Sequence, residues 1–344
     1  MNNIYLLGSE SAKAIVFAQG IFRISKEHQM IGVTKSKFSS KTYSKYFKKV
    51  IRIHEKNLLI PFLKGLEPDF DLVIPVTSEW ARFIASIDPI ELPENLIFQG
   101  DNFEKLDNKE IFCAALGELS IRTPAILNKL ETISNTKVVV KPVFGASSKG
   151  VMYFESSKSN WKELKNFRNS TTHVIQEFIN GFGAGVSGFC INGRSYSVYC
   201  HKRLMEWPMR GGSSTYRESF QNQELELAFS KVAKQFKWTG FLMLEAKIDR
   251  DGRPWIIEAN PRIWGSFRQS VENTSILSEL IKIEYCDSMR HENRTFHNPL
   301  GYLSAIINLF IRPGTSLKFI LDVKKKPDVS LFLDPKGWLS QFGR

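Results

Sequence analysis

Three side chains in one short stretch have the types and spacing for work on phosphate groups. They are Glu245, Glu258 and Asn260, in FLMLEAKIDRDGRPWIIEANPR (241–262). Asp251-Gly252, set between two apolar-rich runs, predicts a β-hairpin with a two-residue turn. With those residues at the turn, Arg250 faces Arg253, and counting back along both strands brings Glu245 opposite Glu258. Side chains alternate along a strand, so Asn260 shares the face of Glu258. Leu242, Leu244, Ala246, Ile248, Trp255, Ile257 and Ala259 make the reverse face, which is core material. Two like charges directly opposite each other destabilise a ladder. A divalent cation between them removes that penalty. Two carboxylates and an amide are all-oxygen ligands of the kind that suit Mg²⁺, which binds through one or two carboxylates plus substrate phosphates. Arg262, two residues past Asn260, has the fork to meet a phosphate or carboxylate.

A carboxylate pair of this kind needs elements that bring phosphates to it. The β-branched run Val138–Lys141 predicts a strand that ends on a lysine. PVFGASSKG (142–150) follows, then a short strand, Val151–Phe154. Small residues let backbone N–H groups approach an anion, and Ser147 and Ser148 add hydroxyl donors. The loop is not a P-loop, because the GxxxxGK[ST] spacing is absent and it joins strand to strand. Lys141 is placed to reach an α-phosphate. Other predicted elements are a strand over His173–Ile179, a hairpin around Asn192-Gly193, and a helix over Glu224–Phe236. That helix is apolar at 225, 228, 229, 232, 233 and 236, one face of a 3.6 period.

The first hundred residues alternate strand and helix. Ile4–Leu7, Met30–Val33 and Leu72–Val76 read as strands, and Ala12–Gln19 and Leu58–Leu66 as helices. Such alternation predicts a parallel sheet whose ligands lie at the carboxyl ends of the strands, beside Gly8-Ser9 and Thr77-Ser78-Glu79. A lone glycine after the first strand does not make a dinucleotide fingerprint. Lys109–Leu119 reads as a helix, as does Tyr302–Ile311, which Pro313-Gly314 is expected to end.

The chain has 344 residues, a length for two or three compact units. Apolar content of 42% and charged content of 24% fit a soluble globular protein. No apolar run reaches the roughly 18 residues that span a bilayer, and no basic region leads into a long apolar one at the N-terminus, so neither a span nor a signal peptide is expected. Cys113, Cys190, Cys200 and Cys286 form no CxxC pair and read as buried, reduced thiols of a cytoplasmic protein. The net charge of +12, with basic clusters at 35–49 and 324–326, suits nucleic acid, an anionic membrane surface or anionic small molecules. No nucleic-acid-binding signature accompanies it, and a solvated basic surface is the plain reading.

Four segments together resemble the ATP-grasp superfamily, in its carbamoyl-phosphate-synthase-like group of ATP-dependent carboxylate–amine ligases. They are VVVKPVFGASSKGV (138–151), VIQEFINGFGAGVSG (174–188), HKRLMEWPMRGGSSTYRES (201–219) and FLMLEAKIDRDGRPWIIEANPRIWGS (241–266). The resemblance implies a mixed α/β and α+β chain in three parts. An N-terminal parallel-sheet α/β domain covers 1–100. A two-subdomain ATP-grasp fold covers 101–290, with its lid subdomain at about 108–178 and its core at about 179–290. An extension over 291–344 packs on the core.

The resemblance also implies roles. Lys109 and Lys141 contact ATP, with Lys202 adding charge near the phosphates. Ser147, Ser148 and Gly150 lie in the phosphate lid, and Gln176, Glu177, Phe178 and Ile179 form the hinge whose backbone reads adenine. Glu245, Glu258 and Asn260 hold one or two Mg²⁺, with Mn²⁺ as the alternative. Arg262 stabilises the transferred phosphoryl group, and His201 and Arg203 supply positive charge beside it. Arg210, Ser213 and Ser214 resemble part of a loop beside the acceptor site; Arg217, and Thr77, Ser78 and Glu79 at the strand ends, are read from their position as further substrate contacts. Glu218 and His201 are the candidates for a base. Many relatives carry an acidic residue after the hinge to hold the ribose, whereas this chain has Gly181-Phe182-Gly183-Ala184 there. The implied reaction makes an acyl phosphate from a carboxylate and ATP, which a small-molecule amine then attacks. A carboxyphosphate or carbamoyl-type intermediate and a non-catalytic ATP-binding module are the alternatives. No nucleic-acid partner or membrane span is implied, and a homodimer is compatible.

Overall fold

Aliphatic strands alternating with helices build the first layer, from β1 (Asn3–Leu7), α1 (Ala12–Ile24), β2 (Gln29–Thr34), β3 (Lys49–Arg52), α2 (Leu59–Lys64), β4 (Asp71–Pro75) and α3 (Ser78–Ala85). The computed structural model describes residues 3–35, 44–98, 102–127, 136–145, 148–155, 161–170, 172–207, 211–281, 294–298, 300–329 and 334. The four strands are parallel in the order β3-β2-β1-β4. Successive β1 residues enter different cores: Ile4 and Leu6 pack with α1, Tyr5 and Leu7 with the α2 and α3 side. Burial on both faces explains why these strands read as unbroken apolar runs. Gly8 (φ +98°) follows β1, and a Cβ there would lie 2.8 Å from Thr77 Cγ2. The loops after β1 and β4 therefore touch at the strand ends.

The chain continues through α4 (Phe103–Asp107), α5 (Lys109–Glu118), β5 (Lys137–Pro142), β6 (Met152–Glu155), α6 (Trp161–Asn169) and β7 (His173–Glu177). The three strands form an antiparallel sheet, β6-β5-β7, against which Leu164 of α6 packs on Val138, Val140 and Ile175. Next come β8 (Phe182–Ile191), β9 (Arg194–Trp207), β10 (Ser213–Phe220), α7 (Gln223–Gln235), β11 (Gly240–Ile248), β12 (Pro254–Asn260), α8 (Phe267–Asn273), α9 (Ile276–Leu280), β13 (Thr295–His297), α10 (Gly301–Asn308), α11 (Pro313–Leu321) and β14 (Lys326–Pro327). Their strands make one sheet in the order β12-β11-β8-β9-β10-β13-β14. Asn192 and Gly193 take φ of 47° and 81°, and Ile191 pairs with Arg194, so this hairpin has the expected two-residue turn. The predicted face of α7, Leu225, Ala228, Phe229, Val232 and Ala233, is buried.

Some expectations are corrected. Ser78 and Glu79 are not loop residues but open α3, with Thr77 as its N-cap. Pro313 does not merely end a helix; it starts α11 within its first turn, where its missing N–H costs nothing. β3 and β10 escaped the periodicity argument, β3 because it is only four residues long and β10 because its polar SSTYRESF reads as loop. Cys113, Cys190 and Cys200 are free and buried, and burial pushes the Cys190 thiol up to about 12. Cys286 lies outside the described residues.

One carboxylate joins α1, α8 and β14. Glu272 at the end of α8 meets Arg23 of α1 and Arg268, each at 2.6 Å, and Lys326 of β14 at 2.9 Å. Burial alone would raise its carboxyl, but Arg268, with Lys326 and Arg23 hydrogen-bonded to it, pulls it down to about 2 from an ordinary 4.5. The group is thus ionised more readily folded than unfolded, and its stabilisation is present above about pH 4.5 and lost as pH falls towards 2. Glu272→Gln is expected to lower stability by about 2–3 kcal/mol at neutral pH, below the fully buried value because Arg23 and Lys326 are partly solvated. Urea unfolding from pH 7 to pH 2 should show a shallower acid slope for the variant.

Candidate active site

Glu245 and Glu258 are paired directly across β11 and β12. The route to that register differs from the expectation. The turn is a three-residue loop, Arg250-Asp251-Gly252, closed by Asp249 N–H to the Arg253 carbonyl at 3.1 Å, with Gly252 at φ +80°. Asp249 Oδ1 accepts from the N–H groups of Asp251 and Arg253 and so favours this loop. A longer turn alone would slip the ladder by one. A β-bulge between the Ala246–Ile256 and Glu245–Glu258 pairs absorbs the extra residue and restores the carboxylates to each other. The bulge also changes which isoleucine is core: Ile256 is fully buried and Ile257, expected there, is half-exposed. The Ile256 N–H instead bonds the Arg122 carbonyl at 2.9 Å, outside the hairpin.

Cations from four elements converge on the pair. Arg203 of β9 meets Glu245 at 2.6 Å, and Lys109, at the start of α5, meets Glu258 at 3.6 Å. Lys141, at the end of β5, is buried, and burial lowers its ammonium while the Glu258 charge opposes that shift. Arg262 donates to Asn260 Oδ1 at 2.6 Å, and Asn260 Nδ2 donates to Glu245 Oε1 at 3.3 Å. Burial, then the facing charge of Glu245, raises the Glu258 carboxyl above its ordinary value, and the neighbouring cations limit that rise. Among the described residues no three His, Cys, Asp or Glu side chains form a metal cluster. The oxygen donors here are two carboxylates and one amide, a set that needs phosphate oxygens to complete the coordination of a hard cation.

The sheet carries this chemistry sideways. Glu258, Glu245, Gly185, His201 and Ser219 stand in one row across β12, β11, β8, β9 and β10. A Cβ at Gly185 would lie 2.6 Å from both His201 Cε1 and Met243 Cε, and one at Gly183 would lie 2.6 Å from Glu206 Oε1. The glycines of β8 leave room for the long side chains on either side. His201 is buried, and burial, reinforced by Arg203 and Arg217, lowers its imidazole well below 6.5. It is therefore neutral at pH 7, which corrects the expectation that it supplies positive charge, and it makes a weak base. Lys202 and Glu218 pair with each other on the opposite face. Lys202 lies 4.3 Å from the Phe182 ring centroid and Glu218 pairs with Lys318, so neither joins the carboxylate cluster. Arg217 is on the His201 face but is buried in an ion pair with Asp328.

The loop before β6 meets this network through Ser148, whose hydroxyl donates to the Gly211 carbonyl; the Gly211 N–H donates to Glu206 at 3.0 Å, and Glu206 pairs with Arg203. Lys109 Nζ also donates to the Gly145 carbonyl at 3.4 Å. Gly150 has φ +75°, and a Cβ there would lie 2.9 Å from Pro142 Cγ. Ser147 and Arg210 lie outside the described residues. At the predicted hinge, Gln176 is buried with its amide on Cys113 Sγ, and the N–H groups of Glu177 and Phe178 donate to Ala125 and Lys137 carbonyls. No side chain fits just beyond, because a Cβ at Gly181 would lie 2.1 Å from the Ile248 carbonyl oxygen. From the start of α3, Ser78 Oγ accepts from Arg262 Nε, while Glu79 turns away to Lys35 at 2.8 Å. Thr77 is spent on its cap, and Ser213 and Ser214 lie on β10. Sequence reasoning missed Glu206 and the glycines of β8. The every-second-residue Gly181, Gly183, Gly185 was the available signal.

Residues 106–266 match the family model described as an ATP-grasp domain. No curated protein matches the chain in sequence. Among solved structures, N5-carboxyaminoimidazole synthetase from Staphylococcus aureus complexed with ADP superposes with a TM-score of 0.65 at 13% identity, covering 90% of this chain and 85% of that one. Biotin carboxylase from Campylobacter jejuni gives 0.62 at 15%, covering 84% and 73%. L-amino acid ligase from Bacillus licheniformis gives 0.59 at 18%, covering 80% and 70%. At such identities the likeness is one of fold.

Arg203 is the closest counter-charge of Glu245, and its loss would leave a half-buried carboxylate facing another. Arg203→Met is expected to cost about 2–4 kcal/mol, less than for a fully buried pair, measured by urea unfolding at pH 7. Adding Glu245→Gln to it should recover part of that loss, because the second change removes the stranded charge.

Proposed function

The chain carries an ATP-grasp domain over residues 106–266, and on that premise we propose that it is an ATP- and Mg²⁺-dependent ligase joining a carboxylate to an amine. A carboxylate oxygen attacks the γ-phosphorus of ATP and the bond to the ADP oxygen breaks, giving an acyl phosphate. The amine nitrogen then attacks the acyl carbon, phosphate leaves, and the amine gives up a proton. The observation that carries this reading is the opposed Glu245–Glu258 pair, ringed by Lys109, Lys141, Arg203 and Arg262.

Glu245, Glu258 and the Asn260 amide would hold Mg²⁺, which neutralises phosphate charge when bound. With that role taken, Lys109 and Arg203 are available to phosphate oxygens. Lys141 and the lid N–H groups around Ser148 and Gly150 would steady the same oxygens, and Arg262, oriented by Ser78 and Asn260, the transferring group. Ser78 links that arginine to the start of α3, beside the strand ends of the N-terminal sheet, where the carboxylate substrate would enter. Adenine would be read at the hinge by Ile179, since the Glu177 and Phe178 amides are engaged. The crowding at Gly181 supports a ribose held without an acidic residue. Closure of the lid would keep water from the acyl phosphate.

A carboxyphosphate route is the second reading, favoured by the likeness to a biotin carboxylase and a carboxyaminoimidazole synthetase. An ADP-release screen of amino acids paired with small carboxylates separates the two. Release that requires both an acid and an amine supports the ligase, and release driven by bicarbonate alone supports the carboxyphosphate route. ATP binding without turnover on any substrate would leave a non-catalytic nucleotide module. Glu258→Ala and Arg262→Met are each expected to lower turnover about a hundredfold or more. Wild-type turnover in Glu258→Ala would remove the metal assignment.

A further inference from the structure

We propose that the helical hairpin α10–α11 docks the protein on an anionic phospholipid surface. α10 is amphipathic in the reverse sense. It turns Gly301, Ser304, Ala305 and Asn308 inwards, with Asn308 Nδ2 bonded to the Ser304 carbonyl at 2.7 Å. Its large apolar side chains, Tyr302, Leu303 and Ile306, point outwards. A helix facing water shows the opposite arrangement. α11 continues the surface: Ser316 and Phe319 are buried, while Leu317, Ile320 and Leu321 are exposed. The Tyr302 and Phe319 rings, 5.0 Å apart, hold the two helices together. The most exposed side chains sit at the ends of this face, Phe310 in the connection between the helices and Val323 after α11, each 91% accessible. Single exposed apolar residues are ordinary, but a contiguous set over two helices marks an interaction surface.

Charge decides what the surface fits. Between Leu300 and Pro327 the chain has five basic residues, Arg312, Lys318, Lys324, Lys325 and Lys326, and one acidic residue, Asp322. The Asp322 carboxylate is engaged by Tyr216 and Thr295. Arg312 and Lys324 are exposed and make no ion pair among the described residues. Two copies packed through this face would bring like charges together, whereas anionic headgroups complement them while the apolar side chains enter the headgroup boundary. No helix among the described residues is long and apolar enough to cross a membrane, so the contact proposed is with the bilayer surface.

Sedimentation of the full chain with phosphatidylcholine vesicles, with and without phosphatidylserine, tests this. Binding is expected with phosphatidylserine and not without it, and high salt should release it. Arg312→Glu and Lys324→Glu should each weaken it about fivefold, and Ile306→Asp with Phe310→Asp at least about tenfold. The melting temperatures of these surface variants should match the wild type. Absence of vesicle binding overturns the proposal. If light scattering then shows a dimer that Ile306→Asp dissolves, the face belongs to a second copy. Binding indifferent to phosphatidylserine and to the charge reversals overturns the anionic assignment.

Discussion

Two carboxylates held face to face in a ladder govern the rest of this structure. Glu245 and Glu258 are paired residues, and burial strengthens their mutual repulsion. Like charges about 4 Å apart repel by about 4 kcal/mol at an effective dielectric of 20, a large share of a domain's stability. The fold answers with Lys109, Lys141, Arg203 and Arg262, drawn from a helix start, two different sheets and a loop. Each packs as part of its own element, so the charge balance depends on how those elements meet.

The same constraint explains the shape of the sheet beneath the site. Long side chains at 201, 203 and 206 need width, and β8 supplies it by giving up side chains at Gly183 and Gly185. Glycine weakens a strand through its backbone entropy. Here β8 is paired on both sides along nearly its whole length, which offsets that weakness. Gly181, just before β8, continues the every-second-residue pattern, and the close approach of the Ile248 carbonyl leaves no room for a side chain there.

The carboxyl-terminal residues serve the site from behind. Asp328 neutralises Arg217, which shares a face with His201, and Lys326 joins the cluster around Glu272. Through these pairs the last described strand holds α1 and α8 in place, while α10 and α11 lie with their apolar side chains outwards. Ion pairs on one side and uncovered aliphatic surface on the other give this part of the chain two distinct faces.

Strand and helix periods, the turn residues and the local motifs were legible in the sequence because they depend on neighbours a few positions apart. The α/β alternation of the first hundred residues, the Asn192-Gly193 turn, the buried face of α7 and the opposition of Glu245 to Glu258 all follow from such spacing. Even there, a longer turn and a bulge cancelled each other, since a hairpin's register reports only the net offset between its strands. Tertiary structure alone decided which cation meets which carboxylate, that His201 is neutral, and that Lys202 faces away. It also decided that α10 turns its apolar side outwards. These properties depend on distances between residues far apart in the chain and on the water excluded between them, and neither is written in local order.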